Sequence, residues 1–189
     1  MEDTPLSTDD GASAKSSSRY TLIAIALHGL LAIGLLYQLG LGVWMEDIPK
    51  SPPGIRAEWF NWHKSIGLVL GLLIVLRGAW RLSHRPPALP DHLPRWQTWT
   101  ANANHALLYA CMVIMPLSGF LGSSFTPYPI KFFGTALPRL WEASAAMKDA
   151  LSAIHTACSY VFMFTIAAHI MAAFWHGLRR DGILKRMWP

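Results

Sequence analysis

A chain of 189 residues in which only 14% are charged and 52% are hydrophobic is too apolar for an ordinary soluble domain, where about a quarter of the residues carry a charge. This composition predicts an integral membrane protein. The formal net charge of +5 does not indicate nucleic-acid binding, because the basic residues lie beside apolar segments, where they determine membrane topology.

One polar segment and four apolar segments follow each other along the chain. Residues 1–18, MEDTPLSTDDGASAKSSS, lack the apolar stretch of a signal peptide and predict a disordered N-terminal tail. A membrane-spanning helix takes about 20 apolar residues, and four segments meet this requirement. They are residues 20–44, 59–80, 101–122 and 151–178. We therefore predict an all-α fold, an integral membrane four-helix bundle, in which residues 19–189 form a single domain.

The distribution of Lys and Arg predicts the orientation of the bundle. Four spans place both termini on one side of the membrane. Of the 16 Lys and Arg residues, ten lie on the side of the termini and six lie opposite. The six are Lys50, Arg56, Lys64, Lys131, Arg139 and Lys148. Because cytoplasmic segments carry the excess of basic residues, both termini are predicted to be cytoplasmic.

The fourth span contains histidines in an apolar setting, AIHTACSYVFMFTIAAHIMAAFWHGLRR at 153–180. Ionisable residues are costly inside a membrane, so they mark a candidate functional site. His155 and His169 are 14 residues apart, which is about 21 Å of helix and about 40° short of four full turns. Both imidazoles therefore lie on one face at two depths, too far apart to share a metal ion. Two separate sites are predicted.

Each of these histidines has a candidate partner at its own depth. His28 in the first span is level with His169, and His63 in the second span is level with His155. Facing imidazoles suit the two axial positions of a six-coordinate haem iron. The sequence has no C-x-x-C-H motif, so the haem is expected to be non-covalent. A single intramembrane histidine is often a hydrogen-bonded packing residue, but chance does not readily produce two matched pairs.

The second span carries further candidates after His63. Gly67 and Gly71 follow it at intervals of one turn and predict either a flat face for a porphyrin or ordinary helix contacts. Arg77 and Arg81 lie one turn apart near the cytoplasmic end of the span. They would either extend to the lipid headgroups or bind the propionates of the inner haem.

Several stretches together resemble one known family. IALHGL, NWHKSIG, NHALLYACMVIMPLSGF, IHTACSY, AAHIMAA and GILKRMWP are similar, in order and spacing, to the bacterial cytochrome b561 family of four-span di-haem proteins of the inner membrane. The resemblance covers residues 19–189. It implies that His28, His63, His155 and His169 are the axial ligands of two b-type haems. It also implies ubiquinone as a redox partner, and in some members of the family superoxide at the outer face is the electron donor.

His105 in the third span has no histidine left as a partner for ligation. With Asn102 or Asn104 it would line a quinone pocket and exchange the protons that quinone reduction needs. Packing, or contact with a haem propionate, explains His105 equally well. His176, seven residues after His169, is predicted to be solvated or to face a propionate.

These features predict electron transfer between ubiquinone and a donor or acceptor at the periplasmic face, through two haem b groups in a lipid-embedded bundle. Superoxide as the donor would make the protein a superoxide:ubiquinone oxidoreductase. One alternative is a relay subunit docked to a partner dehydrogenase or reductase. An alternative of another class is a histidine-lined metal or proton transporter, which would require acidic residues within the spans, and the four predicted spans contain none.

Overall fold

The computed structural model describes residues 19–51, 54–84, 87 and 93–187, and most of these residues are helical. The four long helices are α1 (Leu22–Glu46), α2 (Ile55–Ser83), α3 (Arg95–Ser124) and α4 (Ala145–Arg179). A hairpin of two short strands, β1 (Lys131–Phe132) and β2 (Thr135–Ala136), lies between α3 and α4. A 3₁₀ helix, Leu184–Met187, follows α4. The predicted tail, residues 1–18, lies outside the described residues.

All four long helices are apolar and long enough to cross a membrane. Most of their large apolar side chains face outward; Ile33 and Phe164, for example, are 72% and 74% exposed. Such exposure would be unfavourable in water, whereas it suits contact with lipid. The buried core is small and includes Leu31, Leu70 and Phe162. The predicted four-helix membrane bundle is confirmed.

The helices pack in chain order, α1 against α2, α2 against α3, and α3 against α4. Glycines allow the close approach. A Cβ atom on Gly34 of α1 would lie 2.6 Å from Cδ2 of Leu70, and a Cβ atom on Gly122 of α3 would lie 3.3 Å from Cβ of Leu151. In contrast, α4 makes little backbone contact with α1 or α2 in the described part of the chain. The seam between α4 and the α1–α2 pair is therefore comparatively open.

Polar side chains fix both ends of α1. The Thr21 hydroxyl accepts a hydrogen bond from the Ala24 amide at 3.2 Å, which satisfies a free N–H of the first turn. At the other end, the Arg56 guanidinium donates to the carbonyl oxygens of Glu46 at 2.8 Å and Ile48 at 2.6 Å. It also forms an ion pair with the Glu46 carboxylate at 3.0 Å. The start of α2 therefore caps the end of α1.

One buried serine attaches the hairpin to α2. Ser65 is 1% exposed, and its hydroxyl accepts a hydrogen bond from the Phe133 amide at 2.9 Å. The single hydroxyl proton is directed to the carbonyl oxygen of Asn61 at 2.8 Å or to that of Lys131 at 3.2 Å. The Trp62 ring packs edge-on against the Phe133 ring, with centroids 5.4 Å apart. The hairpin therefore lies over the first turns of α2.

We expect Ser65→Ala to loosen the hairpin while the four helices stay intact. The substitution leaves the Phe133 amide without its acceptor, at a cost of about 1–3 kcal/mol. Amide hydrogen exchange of Phe133 should therefore become about tenfold faster, since about 1.4 kcal/mol corresponds to a factor of ten. Ser83→Ala, the same change at the exposed end of α2, is the control. Equal exchange rates of the Phe133 amide in Ser65→Ala and in the unsubstituted protein would contradict the role of Ser65 in holding the hairpin.

Candidate functional site

The four histidines predicted as ligands form two pairs in the structure. The ring centroids of His28 and His169 are 6.1 Å apart, and those of His63 and His155 are 6.3 Å apart. In each pair the ring planes are nearly perpendicular, at 83° and 81°. All four side chains are half-buried. Each pair joins α4 across the open seam, once to α1 and once to α2.

These separations fit a metal ion held between two imidazoles. Two nitrogen–metal bonds of about 2 Å on opposite sides of one ion, with about 1 Å from each nitrogen to its ring centroid, give roughly 6 Å. A haem iron with two axial imidazoles has this arrangement. The open seam beside α4 is where a porphyrin between the paired rings would lie. The residues present therefore fit one haem for each pair.

The hydrogen bonds of the Nδ1 atoms support this assignment at His155, whereas Nδ1 of His63 lacks a partner in the described part of the chain. Nδ1 of His155 lies 3.0 Å from the carbonyl oxygen of Met115 and 3.2 Å from the Ser118 hydroxyl. Donation to the carbonyl would place the proton on Nδ1 and leave Nε2 for a metal. Nδ1 of His63 is buried and has no hydrogen-bond partner among the described residues.

All four helices repeat the 14-residue interval that separates the histidines of α4. The repeats are His28 and Gly42 on α1, His63 and Arg77 on α2, His105 and Gly119 on α3, and His155 and His169 on α4. They define two levels of the bundle. The termini level consists of His28, Arg77, His105 and His169. The hairpin level consists of Gly42, His63, Gly119 and His155.

At the hairpin level, both glycines lie against histidine rings. A Cβ atom on Gly42 would lie 3.3 Å from Cε1 of His63, and one on Gly119 would lie 3.0 Å from Cε1 of His155. A larger residue would push either ring out of place. Sequence reasoning missed these two glycines, although the 14-residue interval, counted from the histidines of the termini level on the same helices, would have found them.

The two glycines that the sequence singled out lie between helices instead. A Cβ atom on Gly67 would lie 3.2 Å from Nε2 of Gln38 on α1, and one on Gly71 would lie 3.5 Å from Cβ of Pro116 on α3. Of the two alternatives drawn from the sequence, the structure therefore supports ordinary helix contacts. It gives no support to a flat porphyrin face at these positions.

Arg77 brings positive charge to the termini level. Its half-buried guanidinium donates to the carbonyl oxygen of Ala24 at 3.3 Å. It lies within electrostatic range of the three histidines of this level. Arg81, one turn further, is exposed, and its guanidinium lies 5.3 Å from the ring centroid of Tyr109 on α3. Arg77 therefore lies near all three histidines, whereas Arg81, exposed at the edge of the bundle, lies within electrostatic range of His105.

His105 lies beside the pair of the termini level. Its ring centroid is 5.4 Å from that of His169, at an interplanar angle of 67°, and its ring hydrogen-bonds the carbonyl oxygen of Ala101. The side chain is exposed on the surface of the bundle, as is Asn102, whereas Asn104 is half-buried. Within the described ranges, no three His, Cys, Asp or Glu side chains are grouped so that they could hold one metal ion. His105 is thus adjacent to the pair without completing a three-residue metal site.

The structure pairs His176 with a carboxylate that the sequence prediction did not include. Its Nδ1 lies 2.5 Å from the Asp181 carboxylate, and both side chains are only 19% exposed. The physical reason is the end of α4, where Arg180 takes a left-handed conformation with φ of 53° and turns the chain back. His176 therefore holds the chain that follows α4 against the end of the helix.

Comparisons with known proteins identify the family of this chain. The sequence model of a family described as prokaryotic cytochrome b561 matches residues 19–189. The chain is 31% identical over 176 residues to cytochrome b561 homolog 2 of Escherichia coli (strain K12), covering 89% of this chain and 90% of that protein. It is 27% identical over 128 residues to cytochrome b561 homolog 1 of the same strain, covering 67% and 73%. The chain belongs to the prokaryotic cytochrome b561 family, and it is a multi-pass bacterial membrane protein that binds haem b and transfers electrons.

Proposed function

We propose that the protein holds two haem b groups, one at each level, and passes electrons across the inner membrane to or from ubiquinone. The observation that carries the proposal is the presence of two histidine pairs, each with ring centroids about 6 Å apart. His28 and His169 hold the haem of the termini level, and His63 and His155 hold that of the hairpin level. When bound, haem supplies one-electron transfer in a dry interior.

The orientation follows from the basic residues. Ten of the 16 Lys and Arg residues lie on the side of the termini, and this excess supports a cytoplasmic location for both termini. The termini level is then near the cytoplasm and the hairpin faces the periplasm. The two histidines of α4, about 21 Å apart along the helix, connect the two sides.

Ubiquinone is proposed to react beside the termini level. His105 is exposed on the bundle surface, where a lipid-soluble ring can approach it, and it lies next to His169. Its imidazole would hydrogen-bond a quinone carbonyl and exchange a proton with it. Asn102 and Asn104, less than one turn away, would orient the ring through their amides. Cytoplasmic water near the interface would then resupply the proton.

Arg77 and Arg81 are proposed to bind the propionates at the termini level. The Arg77 guanidinium is half-buried near the histidine pair, so a carboxylate of the cofactor would neutralise its charge. Arg81 is exposed and would reach a propionate at the rim. Both guanidinium groups lie on the same side of the bundle as the termini, close to His105.

Superoxide is proposed as the electron donor at the periplasmic face. Lys64 lies within electrostatic range of His63, and Lys131 lies on the exposed hairpin. On this side six basic residues exceed five acidic residues by one, and the two lysines closest to the hairpin level would attract an anion there. Superoxide from an enzymatic generator should reduce the purified protein, and added superoxide dismutase should abolish the reduction. Equal reduction with and without the dismutase would exclude superoxide and favour a docked redox subunit as the donor.

We expect close to two haem b groups per chain in the purified protein. A pyridine haemochrome assay, with the polypeptide quantified by amino-acid analysis, measures this ratio. Acidified acetone should extract both haems, because the sequence has no C-x-x-C-H motif for a thioether attachment. A chain without haem would refute the proposal, and a single extractable haem would leave one histidine pair without its proposed role.

A further inference from the structure

Gln38 on α1 contacts His63 of the hairpin level. Its amide nitrogen Nε2 donates to the backbone carbonyl oxygen of His63 at 2.5 Å. Because a carbonyl oxygen only accepts hydrogen bonds, the nitrogen has to be the atom that faces it, which fixes the orientation of the amide. The amide oxygen Oε1 of Gln38 is then a buried acceptor, and it has no partner in the described part of the chain.

The ring of His63 presents a nitrogen that can donate a hydrogen bond, Nδ1, on the side that faces α1. Its Nδ1 is buried without a hydrogen-bond partner among the described residues. A Cβ atom on Gly42, one turn after Gln38, would lie 3.3 Å from Cε1 and 3.9 Å from Nδ1 of this ring. The Nδ1 edge of His63 therefore faces α1, the helix that carries Gln38. Buried polar groups in folded proteins are almost always hydrogen-bonded, because leaving them unpaired is costly.

The partner ring shows what is missing at His63. Nδ1 of His155 has the carbonyl oxygen of Met115 at 3.0 Å and the Ser118 hydroxyl at 3.2 Å. A histidine that binds a metal through one nitrogen almost always donates from the other, and that hydrogen bond sets its tautomer and orientation. Of the two histidines of the hairpin level, His63 alone lacks this support from the described residues.

We infer that Gln38 is the positioning residue of the haem at the hairpin level. When the haem is bound, its Oε1 would accept the Nδ1–H of His63, a hydrogen bond that is not formed in the structure described here, and Nε2 of His63 would be left for the iron. Nε2 of Gln38 would continue to donate to the His63 backbone. One amide then holds both the backbone and the ring of the ligand. Gly67 leaves room for that amide, since a Cβ atom there would lie 3.2 Å from Nε2 of Gln38. This role rests on the haem site proposed above for the hairpin level.

The test replaces the amide and measures the two haems separately. In Gln38→Leu, which removes the acceptor and keeps most of the volume, a haem-scavenging apoglobin should take up the hairpin haem at least about ten times faster, the usual scale for losing such a partner. The other haem should be lost at an unchanged rate. In Gln38→Met, which keeps the length of the side chain but removes the amide acceptor, the imidazole becomes less electron-donating, so the midpoint potential of the hairpin haem should rise. Gln97→Leu in α3 is the matched control.

Each result supports or overturns the role of Gln38. Equal rates of haem loss in Gln38→Leu and Gln97→Leu, with two haems present in the unsubstituted protein, overturn it and leave the haem sites standing. If Gln38→Leu does not assemble, Gln38→Met decides, and an unshifted potential then overturns the role. An unsubstituted protein without the hairpin haem would instead refute the proposed function.

Discussion

Replacing either histidine of a pair with alanine should remove one whole haem and leave the other. His28→Ala and His169→Ala should delete the same low-spin signal, and His63→Ala and His155→Ala should delete the other, because each pair brackets one iron in the proposed sites. The haem content should fall from two per chain to about one. Pyridine haemochrome assays and electron paramagnetic resonance spectra of the four variants measure both effects.

The control is His84→Ala. This histidine lies outside both levels, with its ring stacked on Trp80 at a centroid distance of 3.8 Å, so both haems should remain. Loss of the same haem in His28→Ala and His155→Ala would reverse the pairing. Loss of the haem of the termini level in His105→Ala, with that haem retained in His28→Ala, would make His105 the partner of His169.

Replacing His105 with alanine should keep both haems but slow the reaction with quinone. Oxidation of the reduced protein by a ubiquinone analogue is expected to become at least about tenfold slower, the minimum expected for losing a positioned proton donor. The exposed imidazole beside His169 is the reason, since it can reach a quinone carbonyl from the lipid side. Stopped-flow absorbance of haem reoxidation measures the rate.

His176→Ala provides the comparison on the same side of the bundle. His176 is paired with Asp181, so its removal should leave the rate of reoxidation unchanged. An unchanged rate in His105→Ala, with both haems intact, would return His105 to a packing role. Loss of the haem of the termini level in that variant would instead show that His105 supports the haem.

The four helices could be predicted because apolar length is a local property of the sequence. Their N-terminal boundaries could not: α2 begins at Ile55, α3 at Arg95 and α4 at Ala145, against predicted starts at residues 59, 101 and 151. Hydropathy detects the part of a helix within the lipid, whereas backbone hydrogen bonds continue through polar interfacial turns. The hairpin was also missed, since it depends on Ser65, a distant residue.

Histidine depths could be predicted because the rise of an α-helix is regular, so 14 residues correspond to the same height on every helix. The same arithmetic would have placed Gly42, Gly119 and Arg77. Gln38 follows no such interval. Its position beside His63 depends on how α1 faces α2 and on the orientation of one amide, and neither is set by spacing along the chain.

If the proposed haem sites are occupied, the open seam beside α4 makes the cofactors part of the assembly of the bundle. Helices α1 to α3 pack onto each other in sequence, and α4 is attached to this unit mainly through α3. Ligation at His28 with His169, and at His63 with His155, would brace α4 to α1 at one height and to α2 at the other. Ligands that bind only the folded state stabilise it. The supply of haem would therefore help to determine how much of the synthesised chain reaches the form in which α4 is joined to α1 and α2. The same histidines would then serve biogenesis as well as electron flow.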